Sequence, residues 1–580
     1  MHTHRYQPSR NQFSLERLEP RALLSATPIT FDPNGTLIKG GVGTINGVKY
    51  IELGRGSSGG NINGIPTGGG HGPSRALVFA TDLDNDGIVD ADEITGIAVS
   101  AAARMTIFGN VNGDIVTNLR SNNDLSGDAG DGSTLLNNNV KEITVHGSVF
   151  GNIIAGHSLN KIKIDGSVEN LLVGTASNGM SFHFHGSDGA AVAFSAFDRG
   201  TNGGGGSISG VTIGTGVVGI HAGDGGPSGD GGNVEKVLIK NDTSGLIIQA
   251  GDGGDDNDRS GGEGGRVFGV KVSSSEGVTI IAGHGGDSTN ASALGGIGGS
   301  VIGAQINAVG PVVLTAGDGG SNTATNSHGG DGGDVLNCKV GGSDISATAG
   351  DGGDGAVLGG EGGSVSSIKG TISGEGNFAA GHGGASSADA GNGGDVNAVK
   401  FLSGGVNAFI RMIVAGDGGD GTIKNGSGGS ISGVNFDGDV GSFTSAYGVS
   451  SMGGLFAGLA GTVPGGKGAN GAVTGINAGR IAAIVAGTGD APQAARLISG
   501  IKATEIGANF DTDSDNKGVN EPAFDYFESI APDNQFNLGE MPIDGLVLGI
   551  KIGSLSTRPL FKFETSTGTQ VGDLDPHTVP

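Results

Sequence analysis

The stretch GGSVIGAQINAVGPVVLTAGDGG, residues 298–320, decides the fold. It holds two short runs rich in β-branched residues, each with apolar positions two apart, separated by Gly and Pro. That is the period of strands, and no helical spacing competes with it. Its first nine residues have seven sisters: GGSISGVTI (205–213), GGNVEKVLI (231–239), GGRVFGVKV (264–272), GGDVLNCKV (332–340), GGSVSSIKG (362–370), GGDVNAVKF (393–401) and GGSISGVNF (428–436). Their starts lie 26 to 35 residues apart. The second run of each of the first seven units ends in AGDGG, at 222, 250, 316, 349 and 415, or in AGHGG, at 282 and 380. One unit thus reads as an alternating strand, a break, a second alternating strand, a turn and a variable Gly-rich loop.

A more compact version precedes this block. ITVHGSVFGNIIAGH (143–157) and KIKIDGSVENLLVG (161–174) align at an offset of 19 residues, and MTIFGNVNGDIVTNL (105–119) and VNFDGDVGSFTSAYG (434–448) fit the same template. A unit this small cannot bury its apolar face alone, whereas stacked copies do, which is the logic of a solenoid. The expected fold class is all-β: a parallel β-helix, or β-solenoid, with inward-facing Val and Ile ladders. Gly is expected at the corners, where positive φ and close backbone approach are needed. A stack of polyproline-II-like glycine strands is the rival architecture, and the VxxVxV runs favour β. The solenoid is assigned to residues 101–495, between a β-rich N-terminal cap over 28–100 and a mixed C-terminal cap over 496–580. Open sheet edges at the two ends of a solenoid need such covers.

Composition removes several classes. Gly makes up 123 of the 580 residues, yet Pro is only 16 and no three-residue period runs through the chain, which excludes collagen. A mean hydropathy of −0.03 argues against disorder, because the apolar residues are clustered rather than missing. Lys and Arg total 32 against 58 Asp and Glu, a net charge of −26 with no basic footprint, so nucleic acid is not an expected partner. No apolar run approaches the roughly 20 residues of a membrane-spanning helix. A single Cys excludes an intrachain disulfide scaffold.

Residues 1–27 are basic and polar, with only Ala22-Leu23-Leu24 as an apolar stretch, too short for the core of an ordinary signal peptide. Within them, Leu18-Glu19-Pro20-Arg21 followed by Leu23-Leu24 resembles the LEPR-x-LL motif at the start of large, repetitive extracellular proteins of planctomycete bacteria. The resemblance implies an export or sorting arm and an extracellular or cell-surface location. It carries no enzymatic activity.

The strongest chemical motif is DLDNDGIVDADE, residues 82–93, which fills the twelve-residue EF-hand calcium loop. Asp82, Asp84 and Asp86 stand at positions 1, 3 and 5, and Gly87 makes the sharp turn. Ile88 offers its carbonyl, Asp90 stands at position 9, and Glu93 closes the loop as a bidentate ligand. Ca²⁺ is the expected cofactor, since a hard cation with six to eight oxygen ligands relieves the repulsion among carboxylates folded around one point. RALVFAT before the loop and ITGIAVS after it read as strands, so the loop is expected without EF-hand helices. The stretch 511–518, DTDSDNKG, keeps the D-x-D-x-D spacing but lacks Gly at position 6, leaving a degenerate calcium loop or a solvated acidic turn.

The repeated turn residues Asp224, Asp252, His284, Asp318, Asp351, His382 and Asp417 stack one rung apart in a solenoid. Carboxylates about 4.8 Å apart in water repel by about 0.9 kcal/mol. Either cations relieve that repulsion or each Asp bonds the N–H groups of its own turn; the second is expected. Gly329 to Asn337 matches the nonapeptide of calcium-binding β-rolls, but the sixth position is Arg266, Ser300 and Ser364 in other coils. His183 and His185 share one strand face without further ligands, and Cys338 takes the place of Val211, Val237, Val270 and Val399 as an inward core residue.

No catalytic constellation stands out, and Trp stacking platforms for sugars are absent. The sequence therefore predicts an exported, calcium-binding, non-enzymatic solenoid with a structural or adhesive role. Its expected partners are calcium and extracellular polysaccharide or other surface proteins. A polysaccharide-degrading β-helix enzyme, a lyase or glycosidase, is the alternative.

Overall fold

A computed structural model describes residues 110–117 (without 112), 142–155, 159–173, 204–441 (without 244), 454–463, 468–481, 484–486, 497–503 and 505–506. Elsewhere it describes the backbone pairing of short strands. The chain divides into two compact units, residues 1–226 with 231–251 and residues 252–580 with 227–230. Among the described residues there is no helix, and the strands stack in parallel register, so the fold is an all-β parallel solenoid.

In the first unit three ladders run side by side in sequence. One joins Ile29–Phe31, Met105–Ile107, Ile143–Val145, Ile162–Ile164, Thr212–Ile213 and Leu238–Asp242. A second joins Ile94–Ala101, Asp114–Thr117, Ile153–Ala155, Val168–Val173, Val217–His221 and Leu246–Gln249. The third is Leu159–Asn160, Ile208–Ser209 and Val234–Glu235. An antiparallel meander, Val42–Ile45, Val48–Leu53 and Arg75–Ala80, leads into Ile94–Ala101.

The second unit repeats the scheme with longer coils. Gln305–Ala308 lies between Lys271–Ser274 and Lys339–Gly342, and Val312–Thr315 lies between Val278–Ile281 and Ile345–Thr348. Val301–Ile302 lies between Val267–Phe268 and Val335–Leu336. Parallel pairing includes Ile29–Phe31 in the first unit and Lys551–Ile552 in the second.

Each nonapeptide therefore makes two strands rather than one. In these eight coils, and in three others with corners at Lys161, Gly475 and Gly500, the corner between the two strands sits at φ between 51° and 69°. Six of those corners are Gly, among them Gly269 and Gly303; the others are Lys161, Lys236, Asn337, Ser367 and Ala398. Inward positions carry the core: Val301, Ala304, Ile306, Val312 and Leu314 are buried, and each recurs in its neighbours. Burying one Val, Leu or Ile side chain contributes about 1.5–3 kcal/mol, repeated at every rung.

The glycine runs form no sheet and no turn. Ala316 to Gly320 leaves the core as an extended segment, and Gly329 to Gly333 returns beside it. Gly333 N–H donates to the Gly317 carbonyl at 2.8 Å and Gly330 N–H to Gly320 at 2.8 Å, which ties the two segments together. Gly317 and Gly320 donate back to Gly299 and Gly296 of the preceding coil, at 2.9 and 2.7 Å. Gly319 donates forward to Asp351 at 2.8 Å. Directions thus repeat every third residue, the period of polyproline II. A Cβ on Gly317, Gly319 or Gly320 would stand 1.8, 2.0 or 2.0 Å from a carbonyl oxygen of a facing segment. On one side of a coil the strands pair in sheets, and on the other the glycine segments bond to one another outside any sheet. The glycines of these runs are not needed for positive φ; they are needed because the backbones touch.

Candidate functional site

The AGDGG segment fixes the outward row of charged residues. Its glycines face other backbone, so only the central residue projects outward, once per coil. From Asp252 to His382, each side chain of the row accepts the backbone N–H of its successor in the next coil. Asp252 Oδ1 accepts His284 N–H at 2.8 Å, His284 Nδ1 accepts Asp318 N–H at 3.0 Å, and Asp318 Oδ1 accepts Asp351 N–H at 2.8 Å. Asp351 Oδ1 then accepts His382 N–H at 2.7 Å, and His382 Nδ1 accepts Asp417 N–H at 3.0 Å. The expectation that each Asp bonds its own turn is corrected: an extended segment offers no nearby N–H of its own, while the next coil presents one a rung away. Parallel rows follow the same rule, as in Asp255 to Asp287 and Asp287 to Ser321, both 2.7 Å.

Two protonation states share the His284–Asp318 rung. The neutral ring accepts the Asp318 N–H, and a protonated Nδ1 can instead donate to Asp318 Oδ2, 3.3 Å away. The hydrogen bond with Asp318 raises the His284 pKa against the opposing effect of burial, and the same bond lowers that of Asp318.

The other sequence candidates divide. In the β-roll-like nonapeptide, Asp331 Oδ1 accepts Glu361 N–H at 2.8 Å and Asp334 Oδ1 accepts Ser364 N–H at 2.7 Å, so these carboxylates join the inter-coil rungs. Among the described residues, no group of three or more His, Cys, Asp or Glu is arranged to hold a metal. Cys338 is fully buried, its thiol pushed up to about 11 by burial, as an inward core residue should be. His183 and His185 lie on Met180–His185, which pairs antiparallel with Ala191–Ala196. The calcium-loop residues Asp82, Asp84, Asp86, Ile88, Asp90 and Glu93 lie outside the described residues, as do the LEPR-x-LL stretch and residues 511–518. Residues 82–93 are flanked by the antiparallel strands Arg75–Ala80 and Ile94–Ala101, and Ala80 is the register partner of Ile94.

One feature was missed in the sequence. Lys271, Gln305, Lys339, Lys369 and Lys400 are successive register partners on the outer face of one ladder, and all five are exposed. The signal was present in the eighth column of the aligned nonapeptides, which reads K, Q, K, K, K from 264 to 401. Comparison with protein-family models, with curated proteins and with solved structures finds no match to the chain.

Proposed function

We propose that the protein is an exported, calcium-binding scaffold with a structural or adhesive role at the cell surface or in the extracellular matrix, without catalytic activity. The observation that carries this reading is where the polar groups go. Strand ladders, glycine amides and side-chain-to-amide rungs all bond one coil to the next, an arrangement suited to persistence. Export rests on the LEPR-x-LL resemblance. Calcium rests on the ligand spacing of residues 82–93, supported by the strand pair that brings the loop's ends to neighbouring positions.

The test has two arms. The full chain is incubated with acidic and neutral polysaccharides, with and without Ca²⁺, and released ends are assayed; turnover of any of them overturns the scaffold reading. Calorimetric Ca²⁺ titration is expected to show binding that Asp82→Ala with Glu93→Ala abolishes, and unchanged heats in that variant would remove the calcium site.

A further inference from the structure

The lysine row is set apart from the rest of a strongly acidic surface. Residues 252–441 contain eight Lys and Arg against 21 Asp and Glu, and four of the eight cations fall in this one register. No carboxylate occurs in 268–274, 302–308, 336–342, 366–372 or 397–403, the stretches flanking the row in five successive coils. Its neighbours are uncharged, from Phe268, Ile302 and Leu336 on one side to Asn307, Thr371 and Leu402 on the other. None of Lys271, Lys339, Lys369 and Lys400 makes an ion pair among the described residues. Stacked at about 4.8 Å, neighbouring ammonium groups repel by about 0.9 kcal/mol when held that close. The acidic residue placed on this outward face is Asp437 of the coil after Lys400, beyond the end of the row, and its carboxylate accepts the Ser403 N–H.

We propose that this row binds a linear acidic polysaccharide laid along the stack, which names a partner for the adhesive reading above and rests on it. Magnitude selects a polymer over small anions. An isolated exposed pair contributes at most about 1 kcal/mol, whereas a polyanion engages the whole row at once and releases its condensed counterions. The same magnitude weighs against a second copy of the chain, because four exposed pairs contribute less than the cost of associating two proteins. Nucleic acid is disfavoured by the row's chemistry. It is one cation wide, contains Lys rather than the forked Arg donor, and has only Phe268 as an aromatic neighbour on which a base could stack.

Retention of the full chain on immobilised polygalacturonate, dextran sulfate, neutral dextran and duplex DNA tests the proposal in Ca²⁺-free buffer of varied salt. Both acidic polysaccharides are expected to retain the protein and neutral dextran to release it, with a log–log salt slope of about −3 for four contacts. The triple variant Lys339→Gln, Lys369→Gln, Lys400→Gln is expected to flatten that slope by about 2 with unchanged circular dichroism, while the Lys→Arg triple keeps binding. No retention, retention indifferent to the Gln triple, or tighter retention on DNA overturns the proposal. So does salt-sensitive self-association in sedimentation without polysaccharide binding. Each of these outcomes leaves the scaffold reading standing, since that reading fails on turnover.

Discussion

The two sides of one coil in the second unit solve the same stacking problem by opposite means. On the sheet side, Val301, Ile306, Val312 and Leu314 fill the interior with side chains, and the strands stand apart to make room for them. On the glycine side nothing is filled, because backbones lie directly against one another and the absence of Cβ is the packing element. A core residue is replaceable by another of similar volume. A contact glycine is not, since the atom it would meet is a main-chain carbonyl with nowhere to move.

The sharpest way to break this comparison is Gly320→Val. The new Cβ would lie 2.0 Å from the Gly286 oxygen, and the expected loss is about 4 kcal/mol or more by urea unfolding. Gly303→Ala, at φ +69° with nothing within 4 Å, should cost only about 1 kcal/mol. Equal losses would mean that the glycine runs are not contact-limited. Leu314→Ala on the sheet side is expected to cost about 3 kcal/mol through its cavity.

Asp351→Ala removes the acceptor of the His382 N–H at the glycine side and should cost about 1 kcal/mol. Asp351→Asn keeps an acceptor, removes a like charge beside Asp318, and is expected to be near neutral. Equal losses in the two variants would show that the inter-coil bond is not what holds the row.

The His284–Asp318 rung adds a smaller, pH-dependent contribution. The raised imidazole pKa gives stability present below the ordinary value of about 6.5 and lost as pH rises through the folded value. The lowered carboxylate pKa gives stability present above about 4 and lost as pH falls through its folded value. The pair should therefore contribute most between about pH 4 and about pH 6.5. An NMR titration should find the His284 midpoint above the ordinary imidazole value and moved down in Asp318→Asn; an unmoved midpoint would dissolve the pair. The smallest effect is expected at the corner. Ala398→Gly should stabilise by about 0.5 kcal/mol, because Ala398 holds φ 54° against the steric preference of an L-residue.

Much of this was legible from the repeat. The VxxVxV runs name the inward residues, and the recurrence of the nonapeptide implies stacking, because side-chain alternation and the burial of apolar surface are local consequences of residue type. Cys338 could be placed by its Val sisters for the same reason. The glycine half was legible only as composition. Read locally, AGDGG suggests a turn, and nothing within five residues reveals that Gly320 will lie against Gly286, a contact made only once one coil is laid on another.

The same limit applies to the charged rows. The sequence determined that one Asp or His recurs per coil and that a Lys recurs in the eighth column. Only the stack decided that the Asp carboxylates accept the next coil's amides and that four lysines share one face. The physical reason is range. Alternation and propensity act between neighbours in the chain, while register brings together residues about thirty positions apart, and it is register that makes a row of charges into a surface.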